Sequence, residues 1–225
     1  WTKRGFHEPS RHRAEIISEY IDKGSTILDI GCGDGTVLDY LSKNCSPKDL
    51  MGVDLSIKAV EHTKERGYKA YQMDILSDDF KNFLEDQSFD YIIITEVLEH
   101  IQNPEDVIQA CKGHFNKNLF VSIPNMGFFI HRLRLLFGRA PLVVIQFHVK
   151  EHLRFWTHAD FLYWCEHLGL SVYKYRVSAP IYPFGIDLGK IWPSLFGMQI
   201  IYALKQTGDT GTNKLVQAVD NDIGS

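Results

Sequence analysis

Asp29, Asp54 and Asp74 each close a short apolar run, and Gly31-x-Gly33-x-Gly35 follows the first of them. Carboxylates at successive strand ends would line one edge of an open α/β sheet, the edge where such sheets bind ligands. Glycines let the backbone turn sharply and approach a bound group that a β-carbon would push away. A helix starting there turns its free N–H groups to the same spot. Asp54 stands 19 residues after Gly35. A carboxylate there can accept two hydrogen bonds from vicinal ribose hydroxyls. A second chemical cluster is Thr95-Glu96-Val97-Leu98-Glu99-His100-Ile101, after another apolar run. An imidazole such as that of His100 can take a proton from an acceptor hydroxyl.

The glycine spacing is not the Gly-x-Gly-x-x-Gly of dinucleotide sites. Asp29 and Asp34 would repel a pyrophosphate at this turn, which disfavours NAD, the competing cofactor. S-adenosylmethionine (SAM), with an ammonium and a sulfonium, suits the two acids. Leu28-Asp29-Ile30-Gly31-Cys32-Gly33-Asp34-Gly35 resembles the glycine motif of class I SAM-dependent methyltransferases. The resemblance implies a site of Asp29, Gly31, Cys32, Gly33, Asp54, Leu55, Asp74, Ile75 and Thr95, with S-adenosylhomocysteine (SAH) as product. In it Asp74 would hold the exocyclic amine of adenine, and Leu55 and Ile75 would sandwich the purine. Backbone at Gly31 and Gly33 would face the methionine portion.

The Glu-x-Leu-Glu-His pattern at Glu96–His100 resembles the ubiquinone-type O-methyltransferases and the MetW-like group. Pro124–Gly127 and Arg132–Gly138 resemble the MetW-like group as well. These resemblances imply transfer of a methyl group to a small molecule, a hydroxyl oxygen of a metabolite or glycan precursor, with His100 as base and no metal. The small-RNA 2′-O-methyltransferases are similar in another way. They hold a divalent metal through a Glu-x-x-Glu-His segment and a later His. Here that would enlist Glu96, Glu99, His100 and His152, with His148 nearby. MetW-like chains are also associated with partnering an acyltransferase of methionine biosynthesis. A SAM-binding partner protein without turnover therefore stays open.

The chain has 225 residues, 44% hydrophobic and 23% charged, with a formal net charge of −4. That balance disfavours a broad basic surface for nucleic acid. Cys32, Cys45, Cys111 and Cys165 are far apart and form no Cys-x-x-Cys pair, as in a reduced cytoplasmic protein. No signal peptide is visible. The longest apolar region, residues 126–147, is broken by His131, Arg132, Arg134, Arg139 and Pro141. It offers no run of the ~20 uncharged residues a spanning helix needs. Residues 125–156 read as an insertion capping the acceptor site; a peripheral membrane contact or a homodimer is compatible with its apolar and arginine content. Residues 206–225 read as a disordered tail behind a single domain, 1–205.

These residues need elements to position them. Ser10 is expected to cap a helix through about Tyr20. Strands are expected at 26–30, 50–53, 70–73, 89–95 and 119–123. Helices are expected at 36–43, from Ser56 to about Arg66, from Pro104 to about Lys112, and at 157–168. Strands at 170–177 and 198–205 lack a clear helix between them and read as an antiparallel edge pair. Alternation from residue 11 to 123 argues for an α/β, Rossmann-like, mostly parallel sheet with helices on both faces. The resemblance supplies seven strands in the order 3-2-1-4-5-7-6, the last antiparallel.

Overall fold

A computed structural model describes residues 7–141, 152–178 and 186–207. The elements are α1 (His7–Ser18), β1 (Thr26–Ile30), α2 (Thr36–Cys45), β2 (Asp49–Asp54), α3 (Ile57–Glu65) and β3 (Lys69–Gln72). Then come α4 (Asp78–Glu85), β4 (Phe89–Ile94), a 3-10 turn (Leu98–His100), α5 (Pro104–Cys111), β5 (Phe115–Pro124) and α6 (Phe129–Leu136). The rest are α7 (His158–His167), β6 (Leu170–Val177), α8 (Leu188–Ile191), α9 (Pro193–Phe196) and β7 (Gln199–Gln206). The seven strands form one sheet in the order β3-β2-β1-β4-β5-β7-β6. β1 pairs in parallel with β2 and β4, and β2 with β3, whereas β6 and β7 are antiparallel. The expected fold class is the one observed.

The described residues divide into two compact units, one within Trp1–Thr95 and Asp106–Phe120, the other within Glu96–Glu105 and Val121–Ser225. In the first, Ile27, Leu28 and Ile30 of β1 are fully buried, as are Ile92, Ile93 and Ile94 of β4. Near-continuous apolar runs of this kind suit strands covered on both sides. In the second, Phe161 packs on Tyr202, ring centres 4.5 Å apart, and Trp156 packs on Phe161 and Trp164 at 5.9 and 5.3 Å.

Three local expectations are corrected. Ser10 lies inside α1, which starts at His7; its hydroxyl accepts from Arg13. No element was expected over α4, although Phe80, Phe83 and Leu84 stand at helical spacing, Phe83 packs on Phe80 and Tyr71, and Ser77 caps at Phe80 N–H. β5 starts four residues before the expected Leu119, through the polar stretch Asn116-Lys117-Asn118. There the Lys117 ammonium reaches Asp22 at 2.9 Å and lies 5.4 Å from the Tyr91 ring centre, so a charged residue sits in the strand without being left alone. Among the described residues no helix is long and apolar enough to cross a membrane. His148 and all of the expected tail beyond Thr207 lie outside the described residues.

Candidate functional site

In the first unit β1 ends at Ile30 and the chain turns back at once. The N–H groups of Gly31 and Cys32 both donate to the Val53 carbonyl, at 2.7 and 3.1 Å, tying the turn to the end of β2. Gly31, Gly33 and Gly35 have φ of 75°, 56° and 77°. A β-carbon on Gly35 would also lie 2.9 Å from the Thr63 hydroxyl, so glycine is required there on both counts. At Gly33 a β-carbon would meet nothing within 4 Å: that backbone borders open space. Asp34 accepts from Thr36 N–H at 3.1 Å and its hydroxyl at 2.7 Å, and pairs with Arg66 at 3.2 Å. Its charge is thus absorbed by the start of α2.

Asp29 is different. It is 1% exposed, and its Oδ2 has no hydrogen-bond partner. Burial, reinforced by the Asp54 charge and opposed by Arg13, pushes its carboxyl up to about 8. Buried polar atoms are nearly always satisfied, so an orphaned carboxylate oxygen at a strand end calls for a ligand. A cationic group meets that need by drawing out the ionised form, in which the free oxygen accepts.

Asp54 Oδ2 accepts from Gly33 N–H at 2.9 Å, which joins the second acid directly to the glycine turn; Oδ1 accepts from Ser56 N–H at 2.8 Å. Leu55, next to it, is 68% exposed, a large apolar side chain left uncovered beside a polar turn. Met73 N–H donates to the Asp54 carbonyl at 3.0 Å, bringing the end of β3 to the end of β2. Asp74 is exposed there, with Oδ1 turned to Leu76 N–H at 2.9 Å, and Ile75 is half-buried. Thr95 is buried one residue past β4; Ile30 pairs with Ile94, which sets Thr95 level with Gly31. The nine residues expected to hold a cofactor therefore lie along the carboxyl ends of β1–β4 in one unit. An ammonium for Asp29, a diol for Asp54 and an apolar ring for Leu55 are what this set can hold.

The second unit carries the other cluster. The 3-10 turn puts the fully buried Glu99 beside the exposed His100. The Glu99 carbonyl accepts from Leu153 N–H at 2.7 Å and Arg154 N–H at 3.1 Å, clamping the segment after His152 onto the turn. The rings of His100 and His152 meet edge to face at 4.8 Å. One ligand atom from each of Glu99, His100 and His152 lies within 4.8 Å of the others. Glu96 stands apart from this group. Its carboxylate is engaged by Ser122, at 3.2 Å, and by Gln199. Sequence reasoning missed both partners, which are single polar residues in β5 and β7 with no motif around them.

In the insertion, Arg132 and Arg134 donate to the carbonyls of Gly127, at 2.5 Å, and Ala140, at 2.8 Å. Leu133, Leu135, Leu136 and Phe137 are exposed. Asn125, chosen only as a boundary, proves to be a hub. Its Oδ1 accepts from Gly127 and His158 N–H, and its Nδ2 donates to the carbonyls of Gly197 and Ser194.

A family model described as methionine biosynthesis protein MetW matches residues 11–204. The chain is similar to a ubiquinone biosynthesis O-methyltransferase of Histophilus somni (strain 2336), 26% identical over 207 residues that cover 85% of this chain and 84% of the relative. Among solved structures it is similar in fold to the small RNA methyltransferase HEN1 (TM-score 0.63, 24% identity, 94% of this chain and 27% of that one). It is also similar to magnesium protoporphyrin IX methyltransferase from Synechocystis PCC 6803 with bound SAH (TM-score 0.61, 13% identity, 92% and 90%).

Proposed function

The chain belongs to the MetW family, and on that premise we propose that it is a SAM-dependent methyltransferase acting on a hydroxyl oxygen of a small metabolite or glycan precursor. The observation that carries the cofactor is the buried, unsatisfied Oδ2 of Asp29 beside a glycine turn bordering open space. SAM, when bound, supplies a methyl group already activated on a sulfonium. Asp29 would balance its ammonium, Asp54 its ribose hydroxyls and Asp74 its adenine amine, with Leu55 and Ile75 against the ring. The O-methyltransferase name of the Histophilus somni relative supports the oxygen acceptor. His100, exposed at the end of its turn, is assigned the proton that a hydroxyl gives up on methylation. Orientation of the acceptor, rather than activation, is the enzyme's main task in such a transfer.

Calorimetric titration with SAM, SAH and NAD tests the cofactor: SAM and SAH should bind and NAD should not. Incubation with labelled SAM and pools of candidate hydroxyl acceptors tests transfer. Tight SAM binding with no transfer to any pool would leave a binding partner without turnover.

One observation favours a second reading, metal assistance: the convergence of Glu99, His100 and His152. Two imidazoles and a buried carboxylate suit a borderline divalent ion such as zinc or iron better than magnesium. Such an ion, when bound, would ease loss of the acceptor's proton, and His100 would then be a ligand instead of a base. An RNA acceptor gains no support from a net charge of −4. Metal content of the purified protein, and the visible spectrum with cobalt(II) for the wild type and His152→Ala, separate the two. No bound ion and no cobalt spectrum would leave His100 as the base.

A further inference from the structure

Glu96 and Ser46 are the non-glycine residues with positive φ among the described residues, at 58° and 50°. Ser46 merely ends α2. Glu96 has no such excuse. A left-handed backbone costs free energy for a residue with a β-carbon, and glutamate lacks the short side chain that lets Asn or Asp offset it locally. Such strain persists only where the surroundings over-determine it, and it gathers at functional sites.

The surroundings of Glu96 do over-determine it, all within the second unit. Its N–H donates to the Ser122 hydroxyl at 3.0 Å, and that hydroxyl donates back to Glu96 Oε1 at 3.2 Å. The Gln199 amide donates to the same Oε1. The Ser178 hydroxyl donates to Gln199 Oε1 at 2.8 Å, which fixes the amide so that its NH2 faces Glu96. Three residues, Ser122 of β5, Gln199 of β7 and Ser178 just past β6, thus serve to hold one carboxylate oxygen. The other, Oε2, accepts no hydrogen bond among the described residues and is not sealed from solvent. A network built only for packing would need neither the strain nor the charge.

We propose that Glu96 binds the methyl acceptor: Oε2 accepts a hydrogen bond from a hydroxyl or ammonium group of the acceptor. Glu96 thereby selects acceptors that present a donor at that place and rejects those that present a carboxylate or phosphate. Ser122 and Gln199 are positioning residues that aim it. This rests on the methyl-transfer reading, and it asks of Glu96 a role distinct from the cluster at Glu99, His100 and His152.

Glu96→Gln is the sharp test. The amide oxygen can keep the place of Oε1, while an NH2 donor replaces Oε2. The acceptor kcat/KM should fall ~10-fold or more, the factor expected when a hydrogen bond to a charged group is lost. SAM affinity and melting temperature should not move. Gln199→Leu should raise the acceptor KM with a smaller change in kcat. Wild-type kcat/KM in Glu96→Gln would overturn the proposal, and so would an equal loss toward acceptors with and without a hydroxyl or ammonium donor beside the methylated oxygen. If the wild type binds SAM and methylates nothing, the methyl-transfer reading itself fails; a wild type that transfers methyl beside a Glu96→Gln that transfers equally well fails this proposal alone.

Discussion

A β-carbon on Gly52 would lie 2.5 Å from the Cys32 sulfur and 2.7 Å from the Cys32 β-carbon. Gly52 sits mid-strand in β2 and Cys32 in the glycine turn, so the turn is seated on the one strand position that has no side chain. This seat lets Gly31 and Cys32 N–H both reach the Val53 carbonyl.

Gly52→Ala should therefore lower stability by ~1–3 kcal/mol, the usual cost of overpacking a close-packed site. Because the turn itself must shift, SAM affinity should fall as well. Melting with and without SAM checks both; unchanged values in the variant would show that the turn tolerates displacement.

With Asp29 as the proposed partner of the SAM ammonium, SAM binding should depend on pH. Its carboxyl is raised to about 8 in the folded chain but ionises near 4 in an unfolded one. Between those values the folded state holds the extra proton, so this group's contribution to stability is complete below pH 4 and is lost as pH rises to 8. A cationic ligand favours the ionised form. SAM affinity should then rise between about pH 5.5 and 6.7, a window in which an α-amino group stays almost wholly protonated. Asp29→Asn should bind weakly with no such slope; a flat wild-type profile would sink the assignment.

His158 has the opposite sign. Its Nδ1 meets the Tyr202 hydroxyl at 2.7 Å, and burial lowers its pKa to about 4. The unfolded chain takes up the proton first as pH falls below 6.5, so stability drops between pH 6.5 and 4, by a total of ~3 kcal/mol. Comparing the wild type with His158→Gln in urea melts at pH 7 and 5 isolates this group; equal losses in both proteins would count against it.

Asn125→Ala should strand the buried N–H groups of Gly127 and His158 and the carbonyls of Gly197 and Ser194. At ~1–3 kcal/mol for each unsatisfied group, less what water recovers, a loss of ~3 kcal/mol is expected. Asn125→Asp keeps the acceptor and loses both donors, so it should fall between. A urea midpoint within error of wild type for Asn125→Ala would refute the hub.

The grouping of the residues proposed for the cofactor was legible because it is built from local signals. A strand end, a glycine turn and an acid recur in short windows, and parallel strands bring those windows together in chain order. Asp29, Gly33 and Asp54 could be named for that reason, and the Gly33–Asp54 hydrogen bond follows from it. The grouping of the residues proposed for the acceptor was legible only in part. His100 and His152 are 52 positions apart and Glu96 and Gln199 are 103 apart; no periodicity links such pairs. The polar partners Ser122, Ser178 and Gln199 lie in strands whose pattern announces burial, not purpose. α4 escaped because its helical spacing, Phe80, Phe83 and Leu84, spans barely one turn amid acidic residues and passes for a loop.

The distribution of two residue types gives the protein its own pair of probes. Cys32, Cys45 and Cys111 are buried in the first unit, each with its thiol pushed up by burial, which silences it toward alkylation until the chain opens. Among the described residues the tryptophans, Trp156, Trp164 and Trp192, all belong to the second unit. Pulsed thiol labelling, resolved by peptide so that Cys165 of the second unit is read apart, and intrinsic fluorescence, to which the second unit gives three of the chain's four tryptophans, can then follow the two units without a mutation. Coincident transitions would mean one cooperative folding event; separated ones would mean that acceptor-side and cofactor-side residues can loosen independently.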